Sequence, residues 1–482
     1  MEKRQSGPGT SLVGERPRRR LRVLRRVLVA SATGTAAVGG ALMLLPEEPP
    51  RTSPPPAPGP RVQAPASVTT GVPAALPDLA LLIGDRENHL RTHPQDARAW
   101  AVLGAAYVER GRRTADAANY PKAERALRAS LEVTGGKNPE ALEGLAALAN
   151  ARRDFRAARE WGEQARGLAP KRWTAYAVLI DAYTGLGDYK ATGKTLEKLT
   201  GLRAGAAARP AVMARASAVY RDRGWREDAA AQLSDAAAAA RTAAEQADYL
   251  TRSGQLAWER GDRKEALRHF EAAVRVDPDQ RDALAGQGRV LAALGRTPEA
   301  VTAYQAALTK QPCPQYALEL GELYESLSLE QAAQVQYDLL RARVEREEAG
   351  GVDEELLLGR FEADHGDAQE AVQRLRAEWE RQPGIEVADA LGWALHRVGD
   401  DQEALDFARI ATDKAHGGGV RSALYSFHLG MIERELELDG PARRHLQDAL
   451  RINPYFSPLR VPVARAALAH LGEPPDEGVP ED

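Results

Sequence analysis

The sequence predicts an all-α fold, a solenoid of stacked helical hairpins, and three observations lead there. Gly254, Gly288, Gly321, Gly359, Gly392 and Gly430 are each followed twelve residues later by alanine: Ala266, Ala300, Ala333, Ala371, Ala404 and Ala442. Aromatic residues make up only 5% of the 482 positions while 43% are hydrophobic, so small side chains must carry much of the packing. Stretches such as 235–247 are rich in alanine, the best helix former, and no run of β-branched alternation competes with them.

Each unit reads as two helices and a turn. Four residues beyond the alanines stand Phe270, Tyr304, Tyr337, Leu375, Ala408 and Leu446, and three further on Ala273, Ala307, Leu340, Glu378, Ala411 and Ala449, the spacing of one helix face. Gly261, Gly295, Gly366 and Gly399 fall where a first helix ends and a tight turn begins. Pro278, Pro312, Pro383 and Pro454 punctuate the junctions, and the first two are 34 residues apart. Glycine inside a helix costs about 1 kcal/mol relative to alanine, so its recurrence implies a close approach of two helices. A lone hairpin cannot bury its apolar face; stacked neighbours complete the core.

This pattern resembles the tetratricopeptide repeat, whose period is about 34 residues. Trp100, Leu103-Gly104 and Tyr107 open one copy after Pro94, completed by Ala123 and Leu127 beyond an insertion at 110–121. Weaker copies start near Pro139, with Ala158, Ala165 and Pro170, and near Trp173, with Tyr176, Leu179 and Tyr183; another centres on Tyr220, Gly224, Ala229 and Leu233. The resemblance implies a right-handed superhelix of about ten hairpins over residues 94–454. The junctions at 345–353 and 412–421 are longer than the signature allows. Residues 76–93 read as a capping helix, with Asp78 near its start and Leu79, Leu82, Ile83, Arg86 and Leu90 along one side; 459–471 read as the closing helix. The solenoid with its caps is thus placed at 76–472, followed by an acidic tail, 473–482, of disordered composition.

The amino-terminal part has a different character. Residues 1–26 hold nine Lys or Arg against two Glu, a basic tail read as cytoplasmic, and 27–45 is a run of 19 residues without a charge, long enough as a helix to span a bilayer. The expectation is an uncleaved single-pass anchor with the solenoid on the far side, by the positive-inside bias. A cleaved signal peptide, giving a secreted protein, and a segment that does not insert remain open beside it. Residues 46–75 read as a proline-rich linker: 11 prolines fall within 46–77.

In this family first helices line a concave groove. In the best repeat Leu250, Gly254 and Ala257 take the core, which leaves Thr251, Gln255 and Trp258 for the groove; carried along, the stripe gives Arg289, Glu322, Glu325, Arg360, Asp389, Trp393, His396, Phe427, Met431 and Arg434. Aromatic and arginine anchors on a concave face suit capture of another protein, although Trp258 and Trp393 equally suit packing between repeats. Some members clamp a partner's terminal carboxylate with Lys and Asn; the matching residues here are Ala101, Ala105, Ala177 and Asp181, so that activity is not implied.

The expected role is a membrane-tethered scaffold for protein–protein interaction, with no enzyme activity, cofactor or small-molecule substrate. The alternative is an exported regulatory subunit or a helical enzyme whose active residues escape recognition. No phosphate loop, nucleophile elbow or His-Glu-x-x-His is present. Asp85, His89 and His93 share a helical face but read as solvated polar residues rather than metal ligands, and the single Cys313 excludes an internal disulfide. The overall charge of −3 becomes more acidic once the basic tail is set aside, which disfavours nucleic acid as a partner.

Overall fold

A computed structural model describes residues 60–202, 204–310, 312–414 and 419–472, with side chains from Ala64 onward. Among them no strand occurs. A helix α1 (Pro60–Thr70) and a cap α2 (Leu76–Thr92) precede ten hairpins. Their first helices are α3 (Ala97–Thr114), α5 (Pro139–Ala151), α7 (Trp173–Gly185), α9 (Arg209–Asp222), α11 (Ala243–Glu259), α13 (Arg281–Ala293), α15 (Pro314–Ser326), α17 (Glu355–His365), α19 (Ile385–Arg397) and α21 (Ala423–Glu435). The second helices are α4 (Tyr120–Val133), α6 (Phe155–Leu168), α8 (Tyr189–Gly201), α10 (Arg226–Ala239), α12 (Arg263–Val276), α14 (Thr297–Lys310), α16 (Glu330–Ala349), α18 (Ala368–Arg381), α20 (Asp401–Thr412) and α22 (Asp439–Ile452); α23 (Arg460–Leu471) closes the array. The all-α tetratricopeptide-type solenoid is the observed architecture.

Local chemistry sets each turn. Gly187, Gly261 and Gly399 have φ of +70°, +79° and +82°, a region that side chains disfavour. Asp188, Asp262 and Asp400 follow and cap the second helices, their carboxylates accepting from the amides of Ala191, Glu265 and Glu403 at 2.8, 3.0 and 3.4 Å. Such a cap contributes about 1 kcal/mol.

The glycine rhythm has a simple packing cause. A Cβ on Gly254, Gly288, Gly321, Gly359 or Gly430 would sit 2.3–2.8 Å from the side chain sixteen residues on, namely Phe270, Tyr304, Tyr337, Leu375 or Leu446. The glycine is the socket and the large residue of the second helix is its plug. Gly392 differs: its partner position holds Ala408, and the two backbones close in until a Cβ would lie 3.1 Å from the Ala408 nitrogen.

Successive superhelical turns lie against each other along a seam. Arg153 pairs with Glu354 at 2.7 Å, 201 residues on; the Phe155 amide donates to Gln382 Oε1 at 2.9 Å; and Asn453 Nδ2 donates to the Trp258 carbonyl at 2.8 Å, 195 residues apart. The hairpin turns at Gly187, Gly224 and Gly261 meet the junctions at Pro383, Gly419 and Asn453 respectively. The two over-long junctions are part of this seam: Arg152 Nε donates to the Gly350 carbonyl at 3.0 Å, and Arg226 donates to the Arg421 carbonyl. Burial, with Glu354 and Asp116 nearby, pushes the Glu347 carboxyl up to about 7 against the opposing pull of Arg153 and Arg343. A raised carboxyl pKa is neutral to stability below the ordinary value of 4.5, destabilises increasingly between there and about 7, and costs a constant amount above that. Glu347→Gln should therefore raise the melting temperature at pH 8 and leave it nearly unchanged at pH 4, measured by circular dichroism.

Two expectations are corrected. The stretch read as linker contains helix Pro60–Thr70, despite Pro65 within it. Ala64, Val68, Val72 and Ala74 of this segment are buried, and that apolar contact offsets the backbone hydrogen bond Pro65 cannot make. The single-pass membrane placement is overturned: among the described residues no helix is long and apolar enough to cross a membrane. Residues 27–45, like the basic segment 1–26 and the tail 473–482, lie outside the described residues.

Candidate functional site

First helices of the carboxy-terminal half surround a cavity of about 790 Å³. Six successive first helices, α11 to α21, contribute to its wall, and the segment from Pro454 to Arg465 forms the remaining side. The array covers one superhelical turn here, and Asn453 fastens its end to its beginning at the Trp258 carbonyl.

Most charged side chains in the wall are fixed by partners. Arg289 makes a two-pronged contact with Glu319 at 2.8 and 3.2 Å and donates to Gln255 Oε1 at 2.7 Å. Burial works against the Arg289 charge, but the Glu319 carboxylate outweighs it and raises the guanidinium pKa. The same carboxylate accepts from Tyr304 at 3.0 Å, and burial, then Glu319, holds that phenol far above its usual range. Trp393 donates from its indole to Asp364 at 2.9 Å and stacks on His428 with ring centres 4.3 Å apart. Arg460 binds Asp364, lies 3.9 Å from Glu322 and faces the Trp393 ring at 5.8 Å. Asp389 holds His428 Nδ1 at 2.9 Å, both residues being buried. Arg360 and Arg465 also line the cavity; Arg360 donates to the Glu386 carbonyl at 3.5 Å, and neither arginine has an ion pair with a carboxylate among the described residues.

Of the stripe read from sequence, Gln255, Trp258, Arg289, Glu322, Arg360, Asp389 and Trp393 line the cavity. The others do not. Thr251 is buried and its hydroxyl donates to the Ala247 carbonyl at 2.7 Å. Glu325 accepts from Tyr337 at 2.6 Å and pairs with His365 at 3.2 Å. His396 pairs with Asp401. Phe427 and Met431 belong to the core, which corrects their assignment to the groove, and Arg434 is half-buried elsewhere. Trp258 and Trp393 are only 6% and 8% exposed and are packed among the repeats, and both also edge the cavity. Sequence reasoning missed Glu319, Asp364, His428 and Arg460. Glu319 stands three residues before Glu322 and Asp364 four after Arg360, so helical spacing pointed to both.

Elsewhere, His89 lies 2.9 Å from Asp96 and stacks on His93, and no group of three or more metal-ligating side chains occurs among the described residues. Burial pushes the Cys313 thiol up to about 12, which keeps it protonated and unreactive.

Residues 251–317 and 286–343 match the family model for the tetratricopeptide repeat. No curated protein matches the sequence. Among solved structures, a human IFIT1 dimer with PPP-AAAA is 18% identical, covering 69% of this chain and 78% of that one, at a TM-score of 0.44. A tetratricopeptide repeat protein from Parabacteroides merdae is 17% identical, covering 55% of this chain and 99% of that one, at 0.32. Yeast Tom70 is 13% identical over 76% of this chain and 96% of that one, at 0.30. At these values the likenesses carry no argument about partner or activity.

Proposed function

We propose that this tetratricopeptide-type solenoid is a protein-binding scaffold that takes a short internal segment of its partner into the 790 Å³ cavity, binding it without turnover. The observation that carries the reading is the fixed state of the wall. Arg289, Trp393 and His428 are held by Glu319, Asp364 and Asp389, so little side-chain freedom is lost when a ligand docks. The volume falls within the 300–1,000 Å³ usual for ligand sites and suits a few side chains rather than a folded domain. Arg360 and Arg465, not engaged by carboxylates, offer donors to a partner's carbonyl or carboxylate groups.

The test is a photo-cross-linking amino acid placed at Gln315, inside the cavity, and at Val335, 62% exposed on a second helix. In the native host Gln315 should yield an adduct with another polypeptide, and Arg360→Glu with Arg465→Glu should reduce its yield at least about tenfold without lowering the melting temperature. Adducts from Val335 alone, or a Gln315 adduct indifferent to both charge reversals, would refute the reading.

A further inference from the structure

A second chamber, of about 410 Å³, lies in the amino-terminal half and shares no lining residue with the first. First helices α3, α5 and α7 form most of its wall, Arg215 reaches in from α9, and the last turn of α1 covers one side. Its floor is made of residues too small to fill it: Ala101, Ala105, Gly144, Ala147 and Ala177. Its charged lining is acidic in balance, with Glu109, Glu140, Glu143 and Asp181 against Arg112 and Arg215.

Most of these acids are engaged. Arg172 binds Glu140 and Glu143 at 3.3 and 2.8 Å, and Arg215 binds Asp181 at 3.1 Å. Glu109 is engaged on one oxygen only: it is 5% exposed, the Ala74 amide bonds its carboxylate and Oε2 pairs with Arg112 at 3.7 Å, while Oε1 has no hydrogen-bond partner. Asn150, whose Nδ2 is used on the Val178 carbonyl, also leaves its Oδ1 without a donor. Burial raises the Glu109 carboxyl pKa, with Arg112 and Arg113 failing to offset it. The carboxyl end of α1, where Val68 to Gly71 line the chamber, adds the partial negative charge of a helix terminus. Buried acceptors in want of donors, above a small apolar floor, are the complement of one kind of group.

We propose that this chamber binds an alkylammonium group, its aliphatic stem lying on the alanine floor and its cationic head donating to the acceptor-rich wall at Glu109. The group belongs either to a lysine side chain of a polypeptide or to a free diamine, and the site stands whether or not the larger cavity binds protein.

The experiment is calorimetric titration of the full-length chain with Nα-acetyl-lysine methylamide, with 1,4-diaminobutane, and with Nα-acetyl-norleucine methylamide as the uncharged comparator. At least one ammonium probe should bind, and norleucine should bind at least about tenfold more weakly. The stronger ammonium probe identifies the source. Glu109→Gln should weaken that probe about tenfold, Ala147→Leu should abolish binding by filling the floor, and Arg360→Glu, in the other cavity, should leave it unchanged. Should Glu109→Gln fail to fold, Asp181→Asn and Ala147→Leu carry the test. Absence of binding by both ammonium probes, equal binding of norleucine, or full retention in Ala147→Leu would overturn the proposal.

Discussion

Gly187→Ala will destabilise the protein far more than Gly295→Ala, although both glycines occupy hairpin turns at almost the same φ, +70° and +76°. A side chain in the left-handed region costs about 1–2 kcal/mol at either position. The surroundings differ. A Cβ at Gly295 meets nothing within 4 Å, whereas at Gly187 it would stand 2.2 Å from the Pro383 carbonyl oxygen, a backbone atom that cannot rotate aside. Separating two superhelical turns there adds an overpacking cost of about 1–3 kcal/mol. Urea unfolding of the two variants isolates the seam: an equal shift in both would mean that the contact between turns contributes nothing in solution.

The other large effect is expected at Phe270. Its ring is 1% exposed and sits between two glycines, since a Cβ on Gly254 or Gly286 would lie 2.7 or 2.5 Å from it. Phe270→Ala should cost about 3–5 kcal/mol through lost burial and the cavity left behind. Gly254→Ala and Gly286→Ala should each destabilise the wild type by about 1–3 kcal/mol, yet become neutral or stabilising beside Phe270→Ala, where the added methyl occupies vacated space. Simple additivity in that cycle would show that the glycines are not sockets for the ring.

The contrast between these two sites explains what the sequence could disclose. Gly254 and Phe270 are sixteen residues apart, and the pairing recurs in neighbouring units, so periodicity exposes it. Gly187 and Pro383 meet only because a small rotation per hairpin accumulates over a full superhelical turn, and no local pattern encodes the sum. The cavity was partly legible for the same reason. Gln255, Trp258, Arg289 and Trp393 follow from helical spacing, while Phe427 and Met431, placed on the same stripe, are packed in the core instead. Arg460 was invisible as a wall residue because its helix reads only as a cap. Helix α1 was missed since its proline content opposes helix formation and only contact with the rest of the array stabilises it.

The seam also constrains how the chain can change over generations. In an open solenoid each unit touches only its neighbours, so loss or duplication of one unit somewhere in the middle leaves every other contact intact. Here the junctions at 383, 419 and 453 are keyed to the turns at 187, 224 and 261. Removing a hairpin between Gly261 and Pro383 would slide all three pairings out of step at once, like a thread cut to a different pitch. Growth and shortening are therefore tolerated only at the two ends of the array, and the number of hairpins per coil behaves as a fixed count rather than an adjustable length.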